Sequence, residues 1–280
     1  MGAVKQNQLP FSVVMAVYEK DKPEWLRQSV ESIINQTVQS DDIVIVCDGP
    51  VGAELKAVLR EYEGQHDAVR VVRLSVNVGA GEARNKGVGA TRHELVAIMD
   101  ADDISMPNRF ELQLAQFATN QELALVGGQL AEFEGDPENI TGYRKVPADY
   151  AGIKKFARYR SPINHMTIMF KKEMFLSLGG YPKMTRAEDY YMVSSMLAKG
   201  YLVENIENTL VKYRKDHDNL KRRKSWHNVR ENITSRYKIY KLGTASFGSF
   251  AVSSMAQVFL FLAPVGLLDA FFRFVLRSER

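Results

Sequence analysis

Short apolar runs alternate with amphipathic stretches through the first 120 residues of the chain. The runs are rich in β-branched residues and predict strands over Phe11–Val17, Asp42–Cys47, Val69–Leu74 and Glu94–Met99. The stretches between and after them predict helices that end near Gln36, Glu63, Thr91 and Asn120. Because the strands are apolar throughout, we expect an α/β fold with a mostly parallel sheet covered by helices on both faces.

The pattern becomes mixed after residue 120. Strands are predicted over Leu123–Phe133 and Ile140–Val146, antiparallel to each other, and then over Met166–Phe170, Leu202–Ile206 and Leu210–Tyr213. Helices are predicted over Asp149–Arg158 and Ala187–Lys199. The simplest organisation is one α/β domain over residues 1–219, with halves of about 1–120 and 121–219, followed by a helical extension over 220–280.

Composition excludes several classes of protein. Of the 280 residues, 45% are hydrophobic and 25% are charged, which excludes a disordered chain, a collagen-like repeat and a polytopic membrane protein. The single cysteine, Cys47, excludes an intramolecular disulfide and a zinc site built on several thiolates. Residues 1–10 lack the apolar core of a signal peptide, so we expect no export.

Positive charge is concentrated near the end of the chain. Residues 212–241 contain 11 Lys and Arg against 3 Asp and Glu, whereas residues 1–211 contain 23 against 28. Such a segment suits nucleic acid, anionic lipid or a phosphorylated ligand, and its plain alternative is a solvated helix face.

An uncharged stretch of 19 residues, Phe250–Leu268, follows this basic segment. It is close to the roughly 20 apolar residues of a membrane span, but Pro264 and several polar residues interrupt it. Three interpretations stay open: interfacial or re-entrant membrane helices, a buried homo-oligomer interface, and a true span. The preceding basic segment favours an anionic membrane surface over nucleic acid, with Lys221–Lys224 facing lipid and Trp226 at the level of the headgroups.

Polar clusters follow the second, third and fourth predicted strands. Asp48 ends the second strand, Asn77–Asn85 follows the third, and Asp100, Asp102 and Asp103 follow the fourth. In a parallel sheet these positions meet at the carboxyl edge, where ligands bind. Mg²⁺ is usually bound by one or two carboxylates plus substrate phosphates, so the acidic cluster suits a metal–diphosphate site. Its plain alternative is a polar turn before a helix.

Two further motifs are weaker alone. The Gly79-x-Gly81 turn is not a dinucleotide fingerprint, because Arg84 occupies the third glycine position and the turn follows the third strand. It is a tight turn into a helix, or it presents Arg84 to a nucleotide diphosphate. Glu188 and Asp189 open a predicted helix, where acids are favoured by the helix dipole alone.

The order of these motifs resembles the family-2 inverting glycosyltransferases of GT-A type fold. The resemblance covers about Phe11 to Asn219 and rests on Tyr18, Val46–Gly49, Asn77–Gly79, Ala83–Asn85, Met99–Asp103, Gly179–Tyr181, Glu188–Asp189, Tyr213–Arg214 and His217. The segment Ser161–Thr167 is similar to the bacterial O-antigen, capsule and exopolysaccharide branch, which includes amylovoran-type enzymes. Glu19 and Cys47 depart from the usual family pattern.

The resemblance implies a role for each matching residue. The implied catalytic base is Asp189; the donor-binding residues are Tyr18, Asp48, Arg84, Asp100 and Arg214; the acceptor-side residues are Asn164, His165 and Glu188; the metal ligands are Asp102 and His217. In particular, Asp48 would accept a hydrogen bond from the uracil ring, and Arg214 would close over the diphosphate.

The implied reaction is metal-dependent hexosyl transfer. A UDP-sugar, with UDP-galactose or UDP-glucose favoured, would react with a polyprenyl-diphosphate-linked sugar at the cytoplasmic face of the bacterial inner membrane, with Mn²⁺ or Mg²⁺ as cofactor. Two alternatives stay open: a nucleotidyltransferase and a non-catalytic, membrane-anchored sugar-nucleotide binder. The loop Tyr18–Lys22 has no glycine, which counts against the nucleotidyltransferase.

Overall fold

The computed structural model describes residues 9–215 and 225–262, which form strands and helices in alternation. The strands are β1 (Phe11–Val17), β2 (Asp42–Cys47), β3 (Val69–Arg73), β4 (Leu95–Asp100), β5 (Ile104–Ser105), β6 (Leu123–Glu134), β7 (Asp136–Arg144), β8 (Met169–Lys171) and β9 (Leu202–Arg214). The helices are α1 (Pro23–Ile34), α2 (Ala53–Gln65), α3 (Ala80–Ala90), α4 (Arg109–Thr119), α5 (Tyr150–Phe156), α6 (Lys172–Ser177), α7 (Glu188–Ala198), α8 (Trp226–Lys241) and α9 (Phe247–Leu262).

A single sheet passes through both halves of the domain. Its order is β3-β2-β1-β4-β8-β6-β9-β5, and β7 pairs with β6 outside this path. The first four strands are parallel, as predicted, and β7 is antiparallel to β6, as predicted. Strands β1, β2 and β4 therefore end at one edge, and the acidic loop Asp100–Asp103 leaves the sheet there.

The central strands are buried on both faces because their apolar side chains alternate between two cores. In β1, Val13 and Met15 face one core with α1, α2 and α4, whereas Val14 faces the other with α3 and α7. Helix α3 lies close to the sheet at Gly87, where a Cβ atom would lie 2.5 Å from Val14 Cγ1. The close approach fixes α3, which carries Arg84, against the strands.

A buried hydrogen-bond network joins the two halves of the sheet. The guanidinium of Arg109 donates to the carbonyls of Ile98 and Ile168 and to Gln113, whose amide donates to Val126 and Thr167. Burial lowers the pKa of Arg109 to about 9. The network ties β4 to β6 across the short antiparallel strand β8.

The structure corrects several predicted boundaries. The two strands predicted over 202–213 are one strand, β9, which stays paired with β6 through irregular register where the polar residues Glu207 and Asn208 lie. The strand predicted over Met166–Phe170 begins with a 3-10 turn at His165–Thr167. Strand β5 and helix α6 were not predicted, because each is too short to show a period.

The C-terminal extension forms a helical hairpin of α8 and α9. The predicted uncharged segment overlaps α9, which has 16 residues and ends at Leu262. Within residues 9–215 and 225–262, no helix is long and apolar enough to cross a membrane. The expectation of a spanning helix is therefore not supported, and residues 263–268 of the predicted segment lie outside the described residues.

A buried carboxylate ties the amino ends of the central strands together. Asp42 is fully buried and accepts hydrogen bonds from Ser12 Oγ at 2.6 Å, Arg70 Nη2 at 2.6 Å and the Arg92 backbone at 2.7 Å. These bonds outweigh the cost of burial, and the pKa of Asp42 lies below its usual value. Asp42 thus stabilises the sheet at the edge opposite the acidic loop.

We expect Asp42→Ala to lower the free energy of unfolding by about 3 kcal/mol, because it leaves buried partners of a charged group unsatisfied. Urea denaturation measures the loss. The neighbouring Asp41→Ala is the matched control, since the Asp41 side chain is 72% exposed and its pairs with Arg92 and His93 should contribute less than about 1 kcal/mol. Equal losses for the two variants would contradict the stabilising role of Asp42.

Candidate active site

The acidic loop between β4 and β5 is held from the side of β9. Asp103 is fully buried, and its Oδ1 accepts the backbone N–H of Arg214 at 2.9 Å. The Arg214 Nε donates to the backbone carbonyl of Asp102, also at 2.9 Å. The loop is therefore fixed through the Asp103 side chain and the Asp102 carbonyl. Neither of these bonds uses the Asp102 side chain.

Arg84 is the cation that neutralises this edge of the sheet. Its Nη2 lies 2.7 Å from Asp100 Oδ1 and its Nη1 lies 3.8 Å from Glu188 Oε1, with the Arg84 side chain only 12% exposed. The charge of Arg84 keeps the pKa of Asp100 below its usual value despite burial. The Arg84 Nε is buried without a hydrogen-bond partner among the described residues. An unpaired donor in such a place is suited to a ligand oxygen.

The pKa of Asp102 is shifted in the opposite direction to that of Asp100. Burial, together with the charge of Asp100, raises the pKa of Asp102 to about 6. A carboxylate that is crowded by another acid is stabilised by a cation. Asp102 therefore fits the donor chemistry of a Mg²⁺ or Mn²⁺ ion.

Asp21 belongs to the same acidic group. Its Oδ2 accepts the backbone N–H of Tyr18 at 2.8 Å, and Lys22 occupies the cap position. Burial, with the charges of Asp102 and Asp100, raises the pKa of Asp21 to about 7. Sequence reasoning missed Asp21 because no motif marks it, and only the sheet brings the end of β1 beside the end of β4.

His165 and Tyr181 form a buried pair beside these acids. Their Nε2 and Oη atoms are 2.8 Å apart, and burial lowers the pKa of His165 to about 4, which keeps the imidazole neutral. Asn85 fixes the backbone of Tyr181 with two hydrogen bonds of 2.8 Å. Its Oδ1 accepts the Tyr181 N–H, and its Nδ2 donates to the Tyr181 carbonyl. Gly180 adopts φ +70°, and a Cβ there would lie 2.5 Å from Asn85 Oδ1. The glycine pair before Tyr181 thus serves this close approach.

Glu188 and Asp189 begin α7 after a strained residue. Ala187 adopts φ 57°, the one left-handed non-glycine residue within the described ranges. The pKa of Glu188 is raised by burial and by the charge of Asp189. The charge of Asp189 also acts on His165 and Tyr181, so the predicted base lies in the same electrostatic surroundings as this pair.

Helix α8 holds the segment that leads into α7. Ser235 Oγ donates to the carbonyl of Arg186 at 2.9 Å, and Arg186 Nε donates to Asn228 Oδ1 at 3.1 Å. Thr185 donates to Glu231. Strained backbone persists where the surrounding structure over-determines it, and here the C-terminal hairpin supplies that support.

Three of the predicted site residues make hydrogen bonds inside the protein. The Asp48 carboxylate oxygens accept the backbone N–H groups of Val78 at 2.7 Å and Gly79 at 3.0 Å. Asn164 is buried, and its amide donates to the carbonyls of Gly128 and Arg144. Asp48 therefore shapes the turn before α3, and Asn164 holds the start of the 3-10 turn.

The Arg214 side chain also contacts other groups inside the protein. Its guanidinium lies between the rings of Trp25 and Phe133, with centroid distances of 4.9 and 4.5 Å, and donates to Gln28. It positions the acidic loop, and its predicted contact with a donor diphosphate stays a prediction. Tyr18 is half-exposed after β1, and His217 lies outside the described residues.

Within the described ranges, no group of three or more His, Cys, Asp and Glu side chains is arranged to hold a metal ion. Of the two predicted ligands, Asp102 lies in the acidic loop and His217 lies outside the described residues. Mg²⁺ is usually bound by one or two carboxylates together with substrate phosphates.

A known family model matches residues 12–177, under the description glycosyl transferase family 2. The chain belongs to glycosyltransferase family 2. This family 2 chain is 35% identical to the amylovoran biosynthesis glycosyltransferase of Erwinia amylovora over 84% of the chain and 86% of that protein. It is 32% identical to the UDP-Gal:alpha-D-GlcNAc-diphosphoundecaprenol beta-1,3-galactosyltransferase of Escherichia coli, over 95% of the chain and 96% of that enzyme.

The fold of this family 2 chain is GT-A-like. A mannosyltransferase from Pyrobaculum calidifontis, solved with GDP-Man and Mn²⁺, aligns with a TM-score of 0.64 over 98% of the chain and 77% of that protein, at 17% identity. The curled, mostly parallel sheet is therefore shared between chains whose sequences differ widely.

A pH-dependent stability is expected from Asp21. Its pKa is raised in the folded protein from 3.8 to about 7, so the stability that its protonated form contributes is present below pH 4 and is lost as the pH rises through 7. In the absence of divalent cations, Asp21→Asn should therefore be more stable than wild type at pH 8, by roughly 1–3 kcal/mol, and differ little at pH 4. Thermal unfolding at the two pH values measures this difference.

The exposed neighbour Glu19 supplies the control, and Glu19→Gln should shift the unfolding midpoint equally at both pH values. An Asp21→Asn variant whose difference from wild type is the same at pH 4 and pH 8 would show that Asp21 is not held protonated by this site.

Proposed function

We propose that this family 2 glycosyltransferase transfers a hexose from a UDP-sugar to a sugar carried on a polyprenyl diphosphate, in the synthesis of a bacterial surface polysaccharide. UDP-galactose and UDP-glucose are the preferred donors. The observation that carries the proposal is the meeting of the acidic loop with the Glu188–Asp189 helix start across Arg84. The Escherichia coli relative, a UDP-Gal:alpha-D-GlcNAc-diphosphoundecaprenol beta-1,3-galactosyltransferase, supports a UDP-galactose donor and a lipid-linked acceptor.

In this proposal the donor half of the site holds the nucleotide. Asp102 is the residue that holds Mn²⁺ or Mg²⁺, with the donor diphosphate completing the site, and the ion neutralises charge on the departing nucleoside diphosphate. Arg84 directs its unpaired Nε toward a donor oxygen while its Nη2 keeps Asp100 in place. Tyr18, at the exposed end of β1, lies beside the uracil ring of the donor.

The acceptor half supplies the base. Asp189 takes the proton from the acceptor hydroxyl as that oxygen bonds to the anomeric carbon, and the sugar–phosphate bond breaks on the opposite side to release UDP. A single displacement inverts the anomeric centre, so an α-linked donor gives a β-linked product. Glu188, paired with Arg84, and the neutral His165, held by Tyr181, border the acceptor.

The deciding experiment combines the full chain with a panel of UDP-sugars, Mn²⁺, and a synthetic GlcNAc-diphosphate-lipid acceptor. We expect release of UDP and a glycosylated lipid with one preferred donor. In a parallel assay with UTP and a sugar 1-phosphate, release of pyrophosphate would favour the nucleotidyltransferase instead. Donor binding without any product in either assay would favour a non-catalytic binder.

The first prediction from this assignment concerns the metal. Asp102→Asn should abolish detectable transfer and weaken Mn²⁺ binding in the presence of UDP, because it removes the charged ligand. Isothermal titration of Mn²⁺ into the UDP complex measures the second effect directly. Asp41→Asn, at the opposite edge of the sheet, should leave both quantities unchanged. Wild-type Mn²⁺ affinity in Asp102→Asn would remove Asp102 from the metal site.

The second prediction concerns the base. Asp189→Asn should lower kcat by at least roughly 10²-fold, the usual contribution of a positioned base, while the affinity for the UDP-sugar stays near wild type. Single-turnover kinetics and donor titration separate the two quantities. A variant that keeps kcat and loses donor affinity would make Asp189 a binding residue.

A polyprenyl-linked acceptor places the reaction at the cytoplasmic face of the bacterial inner membrane. We propose a peripheral association, with the domain outside the bilayer. The cluster Lys221–Lys224, expected to face lipid, lies outside the described residues. Homo-oligomer formation through the apolar helices remains the competing proposal for the same surface.

A further inference from the structure

Helix α9 buries hydroxyl groups and exposes apolar side chains. Ser249 and Ser253 are buried, and Ser253 Oγ donates to the Ser249 carbonyl at 2.7 Å. The side chains on the other side, which we name the α9 outer row, are 55–71% exposed and comprise Val252, Met255, Phe259 and Leu262. Their spacing of three, four and three residues places them on one stripe of the helix.

A basic cavity lies at the start of this helix. It has a volume of about 520 Å³ and lies between α5, the end of α7 and the α8–α9 turn, whose Gly243–Ser246 segment lines it. Lys154 and Arg158 supply its charge, and no acidic side chain is among the described residues that line it. A cavity with two cations and no acid suits an anionic group.

Aromatic side chains complete the exposed surface of the hairpin. Trp226 and Tyr237 on α8 are exposed, as is Phe247 at the first turn of α9, and the Trp226 ring lies 5.7 Å from that of Phe261. Tryptophan and tyrosine are enriched where protein meets the membrane–water interface. An apolar stripe, aromatic flanks and nearby cations together characterise helices that lie in the plane of a membrane surface.

We propose that the α8–α9 hairpin docks on an anionic phospholipid bilayer, with the α9 outer row in the acyl boundary and a lipid phosphate in the basic cavity. The cations of the cavity and the aromatic flanks favour a bilayer over a second copy of the chain, and sedimentation distinguishes the two occupants. The contact is also separate from the acceptor diphosphate. Helix α7 runs for 11 residues from Glu188 to Ala198, so the cavity lies about 15 Å from the proposed base. A diphosphate on the acceptor sugar itself lies only a few bonds from the reacting hydroxyl.

Flotation of the full chain with vesicles tests the docking without donor or acceptor, so its outcome does not depend on the proposed reaction. The vesicles are phosphatidylcholine alone or an equal mixture with phosphatidylglycerol. Wild type should float with the anionic vesicles, and high salt should remove part of the binding. Free phosphate at millimolar concentration is the competing arm. It should lower flotation on anionic vesicles if the cavity holds a lipid phosphate, and leave flotation unchanged if the cavity binds only free phosphate, which would remove the cavity from the docking surface.

Two double variants separate the two parts of the surface. Lys154→Ala with Arg158→Ala should lower the partition coefficient on anionic vesicles by roughly tenfold or more, since each cation near the surface contributes to binding. Met255→Asp with Phe259→Asp should remove the binding that persists at high salt. The matched control is Lys56→Ala with Arg60→Ala, which removes two exposed cations with the same spacing from α2.

Three results would overturn the proposal. One is wild-type flotation of the Met255→Asp, Phe259→Asp variant. Another is equal behaviour of the Lys154, Arg158 variant and its α2 control. The third is a wild-type chain that does not bind vesicles but forms a concentration-dependent dimer in sedimentation, which Met255→Asp disrupts. That result would assign the α9 outer row to a second copy. An unchanged thermal midpoint verifies that each variant is folded, and exposed positions on α9 make this the expected result.

Discussion

Repulsion among acids at the carboxyl edge of the sheet is the constraint on which the site depends. Asp21, Asp100 and Asp102 come from the ends of two adjacent parallel strands, and each lies close enough to affect the ionisation of another. The ion pair between Arg84 and Asp100 neutralises one of these negative charges. The remaining acids have raised pKa values, and this unbalanced negative charge is what a divalent cation and a donor diphosphate would correct together.

The same arginine also connects the two halves of the domain. Arg84 is on α3, in the half that contains the parallel strands, whereas Glu188 begins α7 in the mixed half. Asn85, the next residue, fixes the loop that carries Tyr181. One turn of α3 therefore sets the position of the acidic loop, the helix start with the proposed base, and the Tyr181–His165 pair. The close approach of α3 to the sheet at Gly87 makes that turn rigid.

Sequence reasoning succeeded where a pattern is local. The parallel strands, the acidic loop and the Glu188–Asp189 helix start follow from apolar runs and from the residues at their ends. It could not predict contacts that depend on which backbone group lies nearby. Asp48 and Arg214 were assigned to the donor by motif, and the structure adds that Asp48 holds the Val78–Gly79 turn and Arg214 holds the acidic loop. Asp21 was missed because its proximity to Asp102 exists only once β1 and β4 pair.

The C-terminal hairpin shows why the boundary between domain and extension is less sharp than composition suggests. Its basic and apolar segments stand apart from the acidic body in sequence, yet α8 provides the hydrogen bonds that hold Arg186 next to the left-handed Ala187. The strained residue lies two positions before the proposed base. Helix α8 therefore connects the hairpin to the segment that positions Asp189. In a hairpin that lies on a bilayer, this arrangement would make the geometry of the catalytic base depend on the same helices that bring the enzyme to its lipid-linked acceptor.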